Sequence, residues 1–163
     1  MKTIITAVLL MVLAVPAMAA DGSKAMKLNS AINDAFTEFF DAWNKHDIKA
    51  MVTHWTHNAS LINPMGRKAT GKDEIKALFT DEQSTIFRQS SARIVSIDTR
   101  RVGDGFVWYD AEMTVDNALG PDGAAMPQMK MHVAGLMQKK GGKWLVHAAR
   151  PYAFLPPPPP KKS

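Results

Sequence analysis

The chain has 163 residues, 46% of them hydrophobic and 21% charged, proportions that fit one globular domain and leave little room for two. It contains no cysteine, which excludes a disulfide framework, a zinc ribbon, a thiol nucleophile and a lipid-modified cysteine together. The net charge of +5 raises nucleic acid as a partner, but Lys2 lies in a predicted leader, Lys161 and Lys162 lie in a tail, and the other Lys and Arg are scattered among acids with no basic stripe.

Met1-Lys2-Thr3 is a cationic start, Ile4 to Val15 is an apolar run interrupted only by Thr6, and Ala17-Met18-Ala19 is an A-x-A cleavage site. Together they predict a secretory signal over residues 1–19 and a periplasmic or secreted protein. The run is too short to stay behind as a membrane-spanning helix, so no membrane anchor is expected. About 144 residues remain, enough for one core over residues 20–155, and outside the cytoplasm a chain without cysteine depends on that core alone.

From Met26 to Lys45 the apolar residues Leu28, Ile32, Phe36, Phe39, Phe40 and Trp43 recur at helical spacing, with Lys27, Asp34, Glu38 and Asp41 opposite, which predicts a long amphipathic helix with an aromatic face. Asp47 is placed to cap a shorter helix running through Met51, Val52 and Trp55. Asn58 to Asn63 is a short strand stopped by Pro64-Met65-Gly66. Thr70-Gly71-Lys72-Asp73 has the capping-box pattern and opens a third helix carrying Ile75, Leu78 and Phe79.

Beyond Ser90 the pattern alternates. Arg93 to Arg101, Phe106 to Asp116, Gln128 to Lys139 and Lys143 to Phe154 are four strand candidates, separated by the glycine-rich turns at Gly103, Gly120 and Gly141. Helices followed by a meander give an α+β fold with helices on one face of an antiparallel sheet. The run Pro156 to Pro160 and the following lysines predict an extended polyproline tail over residues 156–163, either a solvated end or a partner ligand.

A two-residue turn at Gly141-Gly142 sets Lys140 opposite Lys143, and an unbroken ladder then pairs Met137 with Val146, Val133 with Arg150 and Met131 with Tyr152. The core face carries Met129, Met131, Val133, Met137, Trp144, Val146, Arg150 and Tyr152, with Tyr109 and Met113 from the strand before. Arg150 is the anomaly in that row: either it is paired or lines a wet pocket, or its stem carries the charge past the sheet edge. The opposite face mixes Phe106, Trp108, Leu136 and Leu145 with His132 and His147, which suits a homodimer interface.

The stretches Phe40-Asp41-Ala42-Trp43-Asn44-Lys45-His46-Asp47, Asn58-Ala59-Ser60-Leu61-Ile62-Asn63-Pro64-Met65-Gly66, Gly71-Lys72-Asp73-Glu74-Ile75 and Gly142-Lys143-Trp144-Leu145-Val146 resemble the nuclear transport factor 2-like superfamily, most closely its SnoaL-like (polyketide-cyclase-like) and SgcJ-type branches. The resemblance implies a cone-shaped α+β barrel, a curved antiparallel sheet wrapped around N-terminal helices, with a pocket inside and dimers formed through the outer sheet face. It does not carry an activity, because the same cone hosts isomerases, cyclases, dehydratases and hydrolases. Two positions where the branch often places an acid and a histidine are Asn58 and Arg150 here.

The candidate ligand pocket is Trp43, Trp55, Met113, Met131 and Tyr152, with Tyr109 and Arg150 as the groups able to assist a proton transfer. That set suits a small hydrophobic or anionic molecule. The pattern offers no cofactor motif and no metal set: His54 and His57 are three apart but lack a third ligand. His132, His147, Asp110 and Glu112 fall on the outer face. Two functions stand, an exported binding domain and a cofactor-independent isomerase, cyclase or hydrolase.

Overall fold

A computed structural model describes residues 17–153, with side chains from Met26 onward. Most of the predicted signal segment and the whole polyproline tail lie outside the described residues. Among those described, no helix is long and apolar enough to cross a membrane.

Helix α1 (Ala17–Asn44) extends the predicted helix back to Ala17. Its large buried side chains are Leu28, Ile32, Phe36, Phe40 and Trp43, while Lys27, Asp34, Glu38 and Asp41 are exposed, so the helical stripe becomes the buried face. Asn44 fastens the helix end to the sheet: its amide donates to the Ala92 carbonyl at 3.0 Å and accepts from the Ala92 N–H at 2.7 Å. Helix α2 (Ile48–Thr53) begins at Asp47, whose carboxylate accepts from the Ala50 N–H at 2.9 Å. Asp47→Ala is expected to lower stability by about 1 kcal/mol, read as a fall in Tm of about 3 °C. An unchanged Tm would show that α2 is held by packing alone.

The predicted second helix stops short of Trp55. His54 gives its carbonyl to the Val146 N–H at 2.8 Å, and this sheet bond turns the chain into β1 (Trp55–Ile62). A strand not foreseen in the sequence, β2 (Lys68–Thr70), pairs antiparallel with β1. Helix α3 (Gly71–Ser84) starts as expected but is capped differently. Thr70 makes no side-chain cap; instead the Glu74 carboxylate accepts from the Thr70 N–H at 2.8 Å.

The meander follows as β3 (Ser91–Gly103), β4 (Phe106–Asp116), β5 (Met129–Lys140) and β6 (Lys143–Tyr152). One six-stranded sheet results, in the order β2-β1-β6-β5-β4-β3. Its ladders are antiparallel except between β1 and β6, which run parallel. The helices cover one face of the curved sheet, and the core lies between them.

At the last hairpin Gly141 and Gly142 both have positive φ, 55° and 81°, as the predicted tight turn needs, and Lys140 faces Lys143 and Met137 faces Val146. Beyond that point the unbroken ladder fails. Leu136 pairs with Ala148, Ala134 with Arg150 and His132 with Tyr152, so His147 is the extra residue of a β-bulge. One inserted residue moves the rest of a strand to the opposite face. Ala149 and Pro151 therefore turn inward, and Arg150 and Tyr152 turn outward. The exchange has a physical gain, since a guanidinium pointed into an apolar wall would be desolvated without a partner.

Candidate functional site

Between the concave sheet face and helices α1 and α3 lies a cavity of about 100 Å³. Helix α1 contributes Phe36, Phe39, Phe40 and Trp43 to its lining, β1 contributes Trp55 and Leu61, and α3 contributes Phe79 and Glu82. The sheet supplies Tyr109, Met113, Val115, Met131, Val133, Val146, Ala149 and Pro151. The rings interlock edge to face: Phe36 meets Tyr109 with centroids 5.0 Å apart, and Phe79 meets Trp55 at 5.7 Å. Such contacts fix ring orientations and leave a shaped apolar space.

Of the residues selected from the sequence, Trp43, Trp55, Tyr109, Met113 and Met131 are on this lining. Arg150 and Tyr152 are not, because the bulge at His147 carries them to the outer face. There Arg150 donates to the Ser60 carbonyl at 2.9 Å, the Ser60 hydroxyl at 3.0 Å and the Ala149 carbonyl at 2.7 Å. It ties β6 to β1. Tyr152 is 40% exposed and stacks on His132 with centroids 5.7 Å apart. The cation assigned to the pocket is thus absent from its wall.

Tyr109 remains, but its hydroxyl donates to the Ala148 carbonyl at 3.3 Å, beside the bulge. Burial pushes its ionisation far above the ordinary phenol range. The neutral hydroxyl thereby links β4 to the backbone of β6. Its ring lies across Gly135, its antiparallel partner on β5, where an added Cβ would come within 2.5 Å of the ring.

The polar groups the sequence reading missed are Glu82 and Asn63. Glu82 is only 6% exposed, and its Oε1 accepts from the Asn63 amide at 2.8 Å. Asn63 is also the hinge of the β1–β2 turn, since its carbonyl side-chain oxygen accepts from the Arg67 N–H at 2.8 Å. Desolvation is the largest influence on Glu82 and raises its pKa above the ordinary carboxyl value, against the opposing pull of Asn63 and Arg67. One signal was available: Ile75, Leu78, Phe79 and Glu82 share a single helical face, so the carboxyl sits in line with core residues.

A second polar atom stands out. Trp55 is 3% exposed, and its indole Nε1 has no hydrogen-bond partner, whereas Trp43 Nε1 donates to the Ser90 hydroxyl at 3.3 Å.

The two histidines weighed as metal ligands do not share a helical face. α2 ends before them, His54 is half-buried edge-on to Phe39, and His57 is exposed on β1. Burial lowers the His54 pKa, partly offset by Glu38. Among the described residues no group of three or more histidine or acidic side chains is placed to hold a metal ion.

Comparison with known proteins agrees with this architecture. A family profile described as the SnoaL-like domain matches residues 36–147. No functionally curated protein matches the sequence. Among solved structures, a protein of Caulobacter vibrioides with a cystatin-like fold superposes with a TM-score of 0.70 at 23% identity, covering 78% of this chain and 90% of its own. A ketosteroid isomerase-like protein of Erwinia carotovora atroseptica gives 0.64 at 18% identity, covering 78% and 96%. A candidate scytalone dehydratase of Novosphingobium aromaticivorans gives 0.69 at 12% identity, covering 87% and 99%. At these identities the likeness is one of fold.

Proposed function

The chain belongs to the SnoaL-like domain family, and from that premise we propose that it is an exported binding domain whose interior holds a small, largely hydrophobic molecule. The observation that carries this reading is the aromatic cavity itself. Protein interiors normally close-pack, and here the sheet and two helices leave a space walled by rings and methionines, which adapt their shape to a guest. The lining contains no Lys, Arg or His, so a neutral molecule fits better than the anion that an inward Arg150 would have favoured. The proposal includes a homodimer through the outer sheet face, supported by Phe106, Trp108, Leu136 and Leu145 at half-buried positions there.

One observation favours a second reading, a cofactor-independent isomerase, cyclase or hydrolase. Glu82 is a buried carboxyl in the cavity wall whose pKa is shifted toward neutrality, as acid–base groups in enzymes often are.

The test is to purify the native protein from the exported fraction and identify by mass spectrometry what is extracted from it. A guest at about 100 times its Kd should add about 2.7 kcal/mol, a rise in Tm of about 8 °C. Glu82→Gln then separates the readings: affinity retained with turnover lost supports catalysis, and affinity retained with no turnover in either form supports binding. An empty cavity in every preparation, with no small aromatic compound raising Tm, would overturn both.

A further inference from the structure

We infer that the cavity takes up its guest together with a proton, so that affinity for a neutral guest falls as the medium turns from acid to neutral, with Glu82 as the linked group. The inference rests on the binding reading above and adds its regulation.

Position comes first. Among the described residues Glu82 is the one carboxyl in the cavity wall. Its Oε1 accepts from the Asn63 amide at 2.8 Å. Its Oε2 makes no hydrogen bond, yet it is not cut off from water as the Trp55 indole nitrogen is. An ionised Glu82 therefore depends on one amide and on the water that still reaches it. A hydrophobic guest that fills the cavity lies against this wall and displaces water from it, and desolvation costs the charged carboxyl more than the neutral one. Guest and proton thus favour each other, and by linkage each strengthens the binding of the other by the same factor.

Sign comes second. Burial already holds the proton on Glu82 in the guest-free protein, and a guest holds it more tightly. Affinity is highest where Glu82 is neutral without a guest, falls as pH rises through that range, and levels off once the carboxyl is ionised with the guest in place. The groups facing Glu82 set the range without reversing the sign. Asn63 and Arg67 in the β1–β2 turn draw the proton off, and Asp81 on α3, itself paired with Arg67, holds it on. Helix α1 and the sheet contribute no Lys, Arg or His to the wall, and Tyr109 on β4 stays neutral throughout. His54 stands edge-on to Phe39 at the back of the wall, and burial lowers its pKa. A guest that dried it would favour the neutral ring and strengthen binding as pH rises, which is the opposite sign.

Benzene is the probe, because it has no group that titrates. A cavity of roughly 150 Å³ accommodates it, and one of about 100 Å³ admits it when Met113 and Met131 yield slightly. Calorimetry on the full chain between pH 4 and 8 should show affinity falling about tenfold, the factor that one further unit of upward shift supplies. Repeating the titration in two buffers of different ionisation enthalpy should show net proton uptake in the falling range. Glu82→Gln, which has no proton to exchange, should flatten the profile, and Arg67→Gln should move the fall to higher pH. The proton count in the unmodified protein stands even where Glu82→Gln fails to fold. Affinity that is level or rises with pH, proton release on binding, or a fall that persists in Glu82→Gln overturns this inference and leaves the cavity as a binding site. Failure of benzene to bind at any pH overturns the inference and counts against the binding reading as well.

Discussion

Gly135→Ala is expected to destabilise the protein by about 3 kcal/mol or more, a fall in Tm of about 10 °C. A Cβ at this position would lie 2.2 Å from the Ala148 carbonyl oxygen and 2.5 Å from the Tyr109 ring. Tyr109 could swing only into the cavity, but the Ala148 carbonyl is backbone in the neighbouring strand. Relief therefore requires β5 and β6 to separate next to the bulge, which also breaks the bond from the Tyr109 hydroxyl. Gly103→Ala is the control, because nothing lies within 4 Å of its added Cβ, and it should change stability by no more than about 0.5 kcal/mol. Thermal melts of the two variants decide the matter. If Gly135→Ala melts with Gly103→Ala, the close approach of Tyr109 over β5 is not a feature of the folded protein.

The second large effect concerns pH. Burial raises the Glu82 pKa above its ordinary value of 4.5, so the folded state holds this proton more tightly than the unfolded chain. The stabilisation from the neutral carboxyl is full below about pH 4.5 and is lost as pH rises through the raised folded value. Glu82→Gln keeps an acceptor for the Asn63 amide and removes the proton. The variant should lose this downward slope and exceed the unmodified protein in stability at neutral pH. Asn63→Ala works in the opposite direction: it strips the buried carboxylate of its donor and should cost about 2 kcal/mol, with a deficit that widens as pH rises. Denaturant melts from pH 4 to 8 on the three proteins test the claim. Parallel curves for Glu82→Gln and the unmodified protein would place Glu82 in water.

How much was legible before the structure depends on which residues carried the information. The stripe Leu28, Ile32, Phe36, Phe40, Trp43 needs only the helical period to be recognised, and all five are buried. Phe106 to Asp116 alternates cleanly and coincides with β4. Trp43, Trp55, Tyr109, Met113 and Met131 were chosen by these same periods, and they line the cavity. Arg150 and Tyr152 were chosen by extending one ladder through His147, and alternation has no means of announcing an inserted residue. Glu82 was not singled out, although its spacing from Ile75 and Leu78 puts it on the core side. β2 is three residues long, too short for any periodicity to show.

The sequence by itself determined the kinds and order of every described element except β2, the glycine turns, the family resemblance and the aromatic composition of the interior. These are set by contacts within a few residues, by backbone restrictions and by the period of a helix or strand. Only the tertiary structure decided the parallel pairing of β1 with β6, the bulge and the resulting exchange of Arg150 for Ala149 in the wall. It likewise decided that Glu82 is buried against Asn63 and that the Trp55 indole lacks an acceptor. Each of those depends on groups far apart in the chain competing for one space, where burying an unpaired charge costs more than shifting a strand by one residue.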